Sequence, residues 1–103
     1  MTRVFIRRSH VLGGAVNALT DALYDEALAR AREIDAALAK GDYQGGPAPL
    51  LLGVPISVKD HVDVAGTDST TGAAAKCFRP RANDALVVEL LKVGGVYSVD
   101  LHV

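Results

Sequence analysis

This chain of 103 residues has one cysteine, four serines and no long apolar run, and each scarcity excludes something. Cys77 alone cannot form an internal disulfide, which fits a reducing compartment. Its only basic neighbours are Lys76 and Arg79, so it reads as a structural thiol rather than an activated one. None of Ser9, Ser57, Ser69 and Ser98 sits in a Gly-x-Ser-x-Gly elbow or a glycine- and serine-rich run, so none is a candidate nucleophile. The longest apolar stretch, residues 50–54, is far too short to span a bilayer, and the start has no apolar signal core. No membrane span is expected, and a cytoplasmic location is.

Charge excludes a further class. The formal net charge is −1, with both signs scattered, so nucleic acid is not an expected partner. Arg3, Arg7 and Arg8 form a small basic cluster that reads as a solvated helix face. No Walker-type or dinucleotide glycine loop, repeat or low-complexity segment occurs. Asp60, His61 and Asp63 split between the two faces of one extended segment, and no other His or Cys stands at a ligand spacing. No metal and no cofactor is therefore expected.

What remains is a chain that is 50% hydrophobic, enough for a core. Residues 3 to about 12 suggest a short helix interrupted by Gly13-Gly14. From 21 to 40, Tyr24, Ala27, Leu28, Ala31, Ile34 and Leu38 recur at helical spacing, with Glu26 and Arg30 placed to pair at i,i+4 on the wet side. Asp21 or Asp25 can cap this helix, and Gly41 supplies a left-handed stop. Residues 42–49 form a loop by composition. A strand follows from about Pro55, since proline is tolerated at a strand's first residue and not in its centre. Its alternation runs on past Lys59, with Val62 and Val64 joining the face of Ile56 and Val58, while Ser57, Lys59, His61 and Asp63 share the other. A loop over 66–82, a helix over 85–92 capped by Asn83 or Asp84 and ended by Gly94-Gly95, and a strand over 96–99 complete the pattern. Together these predict a right-handed βαβ unit with parallel strands in an α/β fold.

The segment Gly53-Val54-Pro55-Ile56-Ser57-Val58-Lys59-Asp60 puts one lysine where an apolar strand gives way to a loop. Alternation alone makes it a polar-face lysine. Its place at the carboxyl end of a strand in an α/β sheet, where ligands bind, also makes it a candidate for chemistry. Asp60 can orient the loop by accepting backbone N–H bonds, as any turn aspartate does. Ser69, Thr70 and Thr71 either face a site or cap a turn.

This segment, with the continuation Val64-Ala65-Gly66-Thr67-Asp68-Ser69-Thr70-Thr71-Gly72, resembles the first catalytic motif of the amidase signature hydrolases. The Asp68-Ser69-Thr70 form, Asn17-Ala18-Leu19-Thr20 and the helix containing Asp25-Glu26-Ala27-Leu28-Ala29-Arg30-Ala31 are similar to the branch containing fatty acid amide hydrolase. The resemblance runs from about residue 5 to about residue 97. It implies the N-terminal portion of a larger mixed sheet covered by helices, a small-molecule amide as substrate, and a Ser-Ser-Lys triad in which Lys59 matches the general base. Both triad serines belong to a downstream segment that nothing here matches. The expectation is thus an N-terminal fragment of one catalytic domain over residues 1–103, with a divergent tail over 98–103. A lysine works as a base near neutral pH only where burial and neighbours depress its ordinary pKa of about 10.4 by about 3 units, roughly 4 kcal/mol. A fragment alone lacks those neighbours, so it is expected to be inactive. The rival reading is a non-catalytic remnant or interaction module whose exposed sheet edges allow self-association.

Overall fold

The computed structural model describes residues 1–96 and 98–102. Tyr97, the last position of the resemblance and part of the strand expected over 96–99, lies outside the described residues, as does Val103 of the tail.

The chain opens with helix α1 (Thr2–Arg8), continues without a break through a π-helical turn (Ser9–Gly13) into α2 (Gly14–Val16), and stops where Asn17 adopts φ 51°. Gly13-Gly14 therefore does not interrupt the helix as expected. Both glycines keep right-handed helical dihedrals, and the irregularity is instead the wider turn over Ser9–Gly13; the helix then closes at the left-handed Asn17 with Ala18 N–H on Gly13 C=O at 3.0 Å. The Ser9 hydroxyl, 3.0 Å from Ile6 C=O and 2.8 Å from the Tyr24 hydroxyl, competes with the backbone at this point.

A short strand β1 (Leu19–Asp21) follows, then α3 (Tyr24–Lys40). The apolar spacing over 21–40 does form a helix, but Asp21 belongs to β1 and the cap position is Leu23, without a side-chain cap. Asp25 and Glu26 lie in the first turn, where carboxylates favour the helix dipole. Gly41 ends the helix at φ 82°, as a left-handed stop should. Ala27 and Ile34 are buried, and the wet-side ion pair joins Arg30 to Glu33 at 2.7 Å, on the C-terminal side of Arg30 rather than to the expected Glu26.

Strand β2 (Pro55–Lys59), helix α4 (Leu86–Val93) and strand β3 (Ser98–His102) make the second half. β2 pairs in parallel with β3 from Pro55↔Ser98 to Lys59↔His102, and β1 pairs antiparallel with β3, so the order is β1-β3-β2. The βαβ reading gave the parallel pair; the antiparallel β1 is too short to show as alternation. The core cluster is Val64, Val88 and Val96, with Leu23, Leu51, Ile56, Val58, Val62, Ala85 and Leu91 packed around it. Val62 and Val64 thus join Ile56 and Val58 in one core, though through a turn rather than a continued strand, since Val62 N–H folds back onto Lys59 C=O at 2.9 Å.

The end of α4 locks the strand entry in place. Leu51 N–H bonds Gly94 C=O at 2.8 Å and Gly53 N–H bonds Gly95 C=O at 3.1 Å. Gly95 has φ 95°, and a Cβ there would fall 2.7 Å from Leu52 Cα, so only glycine fits. Among the described residues, no helix is long and apolar enough to cross a membrane.

Candidate functional site

β2 delivers Lys59 and Asp60 side by side to the carboxyl end of the strand and treats them oppositely. Lys59 is exposed, and among the described residues no ion pair or side-chain hydrogen bond holds its ammonium. Asp60 is 8% exposed. Its Oδ1 accepts from Thr70 N–H at 3.1 Å, and its Oδ2 accepts from the Thr70 hydroxyl at 2.8 Å and from Thr71 N–H at 2.6 Å. Burial would raise the Asp60 pKa, but the Thr70 hydroxyl and the N–H groups of Thr70, Thr71 and Gly72 outweigh it and hold the carboxyl below its ordinary value.

That clamp opposes local strain. Ser69 and Thr71 have φ 48° and 54°, an uncommon region for non-glycine residues and costly for a β-branched one. Three charge-assisted hydrogen bonds, each of about 1.5–3 kcal/mol, are enough to keep the turn in this shape. The hydroxyls of the buried Thr67 and Ser69 face inward onto backbone, and that of the exposed Thr71 also meets backbone. Ser69 Oγ donates to Val62 C=O at 3.2 Å, Thr67 Oγ1 to Val64 C=O at 2.9 Å, and Thr71 Oγ1 to Thr70 C=O at 2.6 Å while accepting from Lys76 Nζ at 2.8 Å. Ser69, Thr70 and Thr71 therefore act as ties of the turn.

Two further carboxylates do the same work, and sequence reasoning missed both. Asp68 accepts from Phe78 N–H at 2.6 Å and Arg79 N–H at 3.0 Å. Asp84, expected as a helix cap, instead accepts from Ala65 N–H at 2.8 Å and from Lys92 Nζ, while the cap position of α4 is Ala85 without a side-chain bond. Burial would raise the Asp84 pKa, but the Lys92 ammonium and Ala65 N–H lower it overall. These partners stand 8 to 19 residues apart, outside any helix or strand period, so no local pattern could have revealed them. Gly66 N–H to Arg81 C=O at 3.0 Å and Arg81 N–H to Thr67 C=O at 2.8 Å close the base of the loop.

The remaining candidates are not brought together. His61 is exposed, Asp63 Oδ1 lies 3.1 Å from Arg81 Nε, and Cys77 is a free, half-buried thiol. Among the described residues, no group of three His, Cys, Asp or Glu could hold a metal ion. The site is a lysine displayed at the end of a parallel strand, beside a loop held in one shape by carboxylate-to-backbone bonds.

Comparison with known proteins follows the same residues. The family described as Amidase matches residues 1–99. "Amidase 1" of Gibberella moniliformis is 43% identical over 76 residues, covering 74% of this chain and 14% of that protein. "Putative amidase kk1C" of Curvularia clavata is 36% identical over 104 residues, covering 100% of this chain and 19% of that protein. A solved chain described as "An unexpected vestigial protein complex reveals the evolutionary origins of an s-triazine catabolic enzyme" superposes with TM-score 0.84 and 26% identity, over 98% of this chain and 21% of its own. The present chain spans less than a fifth of the curated relatives' length.

Proposed function

The chain belongs to the amidase family, and from that premise we propose that it supplies the general base, Lys59, to a hydrolase that cleaves a carboxamide to a carboxylate and an amine. The observation that carries this reading is the contrast at the end of β2, where Asp60 fixes the backbone while the neighbouring Lys59 side chain stays free to be enclosed. In the proposed triad the neutral lysine takes a proton from a relay serine, which takes one from the nucleophilic serine as its oxygen attacks the carbonyl. The amine leaves with a proton, and water releases the acyl group. Both serines and the oxyanion donors are supplied by polypeptide outside these 103 residues. Asp68-Ser69-Thr70 supports the branch that includes fatty acid amide hydrolase.

The exposed lysine also supports the expectation that the chain by itself does not turn over amides. It should show no hydrolysis of short aliphatic, aromatic or long-chain amides above buffer, and turnover abolished by Lys59→Ala would overturn the need for other residues. The direct test is a chimera completed with the downstream part of Amidase 1 of Gibberella moniliformis. Lys59→Arg, whose guanidinium cannot accept a proton, should lower its pre-steady-state acylation rate by roughly 10² to 10⁴, with little change in substrate affinity. Acylation within a few-fold of the unsubstituted chimera would make Lys59 a structural lysine.

A further inference from the structure

The helical segment 2–16 is built inside out. A surface helix ordinarily turns its apolar stripe to the core and its charges to water, as α3 does, with Ala27 and Ile34 buried and Asp25, Glu26, Arg30 and Glu33 exposed. Here the strip turned toward the fold is Thr2, Ile6, Ser9 and Gly13, at i, i+4, i+7 and i+11, the first buried and the others half-buried. Only Ile6 in that strip is a large apolar residue. Outward stand Val4, Phe5, Val11, Leu12 and Val16, from 52% to 74% exposed, with Arg3, Arg7 and Arg8 also exposed. Charge is segregated in the same way. Residues 1–20 hold those three arginines and no acidic residue, whereas residues 21–103 hold eight Lys or Arg and twelve Asp or Glu. Helix α4 also exposes leucine, but it buries Val88 on its other side and carries both Glu89 and Lys92, so neither the inversion nor a single sign of charge occurs there.

We infer that the outward face of residues 2–16 is an interfacial anchor whose partner is the surface of an anionic lipid bilayer. Cations alone would suit any polyanion, and apolar side chains alone any apolar layer. An anionic bilayer takes both, since aliphatic and aromatic groups enter the headgroup boundary by about 5–10 Å while arginines meet the lipid phosphates and carboxylates. The long stems of the arginines lie along the inserted apolar groups and keep the guanidinium at headgroup level. At about 1.5 Å per residue the segment is roughly 22 Å long, so it lies along the interface and does not cross it. The basic cluster, a solvated face by sequence alone, becomes the electrostatic half of the site. The inference makes no use of the role of Lys59.

The test is flotation of the 103-residue chain with vesicles of phosphatidylcholine alone and of phosphatidylcholine with phosphatidylserine at about three to one; aggregated protein sinks and is not mistaken for bound. The chain should float with the anionic vesicles and not with phosphatidylcholine alone, and raising salt from about 0.1 M to about 1 M, which shortens the screening length from about 10 Å to about 3 Å, should release it. Arg7→Gln with Arg8→Gln should weaken binding about 30-fold, and Phe5→Ser with Leu12→Ser about 10-fold or more. All four side chains are exposed, so the variants should melt within a few degrees of the parent chain. Leu90→Asp, at a comparably exposed leucine of α4, should float as the parent does. The inference is overturned if the chain does not float, if it floats equally with phosphatidylcholine alone, if the arginine variant floats undiminished, or if Leu90→Asp is as damaging as the Phe5 and Leu12 pair. Retention of RNA, or a homodimer dispersed by Phe5→Ser, in a chain that ignores vesicles would assign the face to that partner instead. The chimera completed with the downstream part of Amidase 1 should float as well; if it sinks while the 103-residue chain floats, the face belongs under that polypeptide and the inference fails.

Discussion

Residues 49–96 and residues 1–23 are of one chain but are held by different physics. The later stretch has the buried Val64, Val88 and Val96, and its loops are tied by Asp60, Asp68 and Asp84, whose carboxylates accept from backbone N–H groups far along the chain. The earlier stretch buries little. Met1, Val4, Phe5, Val11, Leu12 and Val16 are exposed, and Thr2 is its buried residue. Its side-chain links include the Ser9 to Tyr24 hydroxyl bond. A loop tied by charge-assisted hydrogen bonds holds its geometry without a large apolar layer above it, whereas an amphipathic helix needs that layer. The candidate chemistry sits in the half that keeps its shape through hydrogen bonds.

The largest test of this contrast is a pair of substitutions. Val88→Asp puts an unpaired carboxylate at a fully buried position and should destabilise the chain by about 4 kcal/mol or more. Phe5→Ser, on a half-exposed side chain, should cost less than about 1 kcal/mol. Urea denaturation measures both, and similar midpoints for the two variants would erase the distinction. Next in size, Asp60→Ala removes the acceptor for two backbone amides and one hydroxyl and should cost about 2–4 kcal/mol. Amide exchange should speed up at Thr70 and Thr71 while α1 amides keep their rates; unchanged Thr70 and Thr71 exchange would remove the clamp from the account.

The core strand, both longer helices and the strand-end lysine were legible because they follow from periodicity, proline placement and glycine stops, which are local signals. Gly41 and the parallel partner of Lys59's strand were read this way. What escaped was either too short to have a period, as with β1, or distributed. The π turn over Ser9–Gly13 begins at a serine whose hydroxyl meets Tyr24 fifteen residues on, and Asp68 and Asp84 choose loop backbone over the nearest helix end. Asp60 was readable as a loop aspartate that accepts backbone N–H bonds, but its partners Thr70 and Thr71, 10 and 11 residues on, were not.

Acid should expose the same asymmetry with a smaller effect. Asp60 and Asp84 have folded pKa values below the ordinary carboxylate value, so their contribution is fully present above an unfolded pKa of about 3.9 and is lost as pH falls through the folded values. Stability should be flat in this respect from neutral pH down to about 4 and fall below it, with a slope of no more than about 1.4 kcal/mol per pH unit for each proton taken up. Asp60→Asn should flatten that slope, as followed by denaturation midpoints between about pH 7 and 2.5. An unchanged slope would assign the acid sensitivity elsewhere. The smallest effect belongs to Arg30→Ala, which breaks an exposed i,i+3 pair with Glu33 and should shift stability by about 0.2–0.5 kcal/mol. A loss above about 1 kcal/mol would mean that α3's wet face carries weight this structure gives to the core.

The parallel register Pro55↔Ser98 sets a schedule for the newborn chain. β2, preceded by three consecutive leucines at 50–52, leaves the ribosome some forty residues before the strand that will pair with it, and at about 5–20 residues per second it waits roughly 2 to 8 s. The Gly94 and Gly95 carbonyls that receive Leu51 and Gly53 emerge only near the end of that interval. Throughout it the lysine-bearing strand is an unpaired apolar ribbon open to chaperones, or to the same segment on the next ribosome of a polysome.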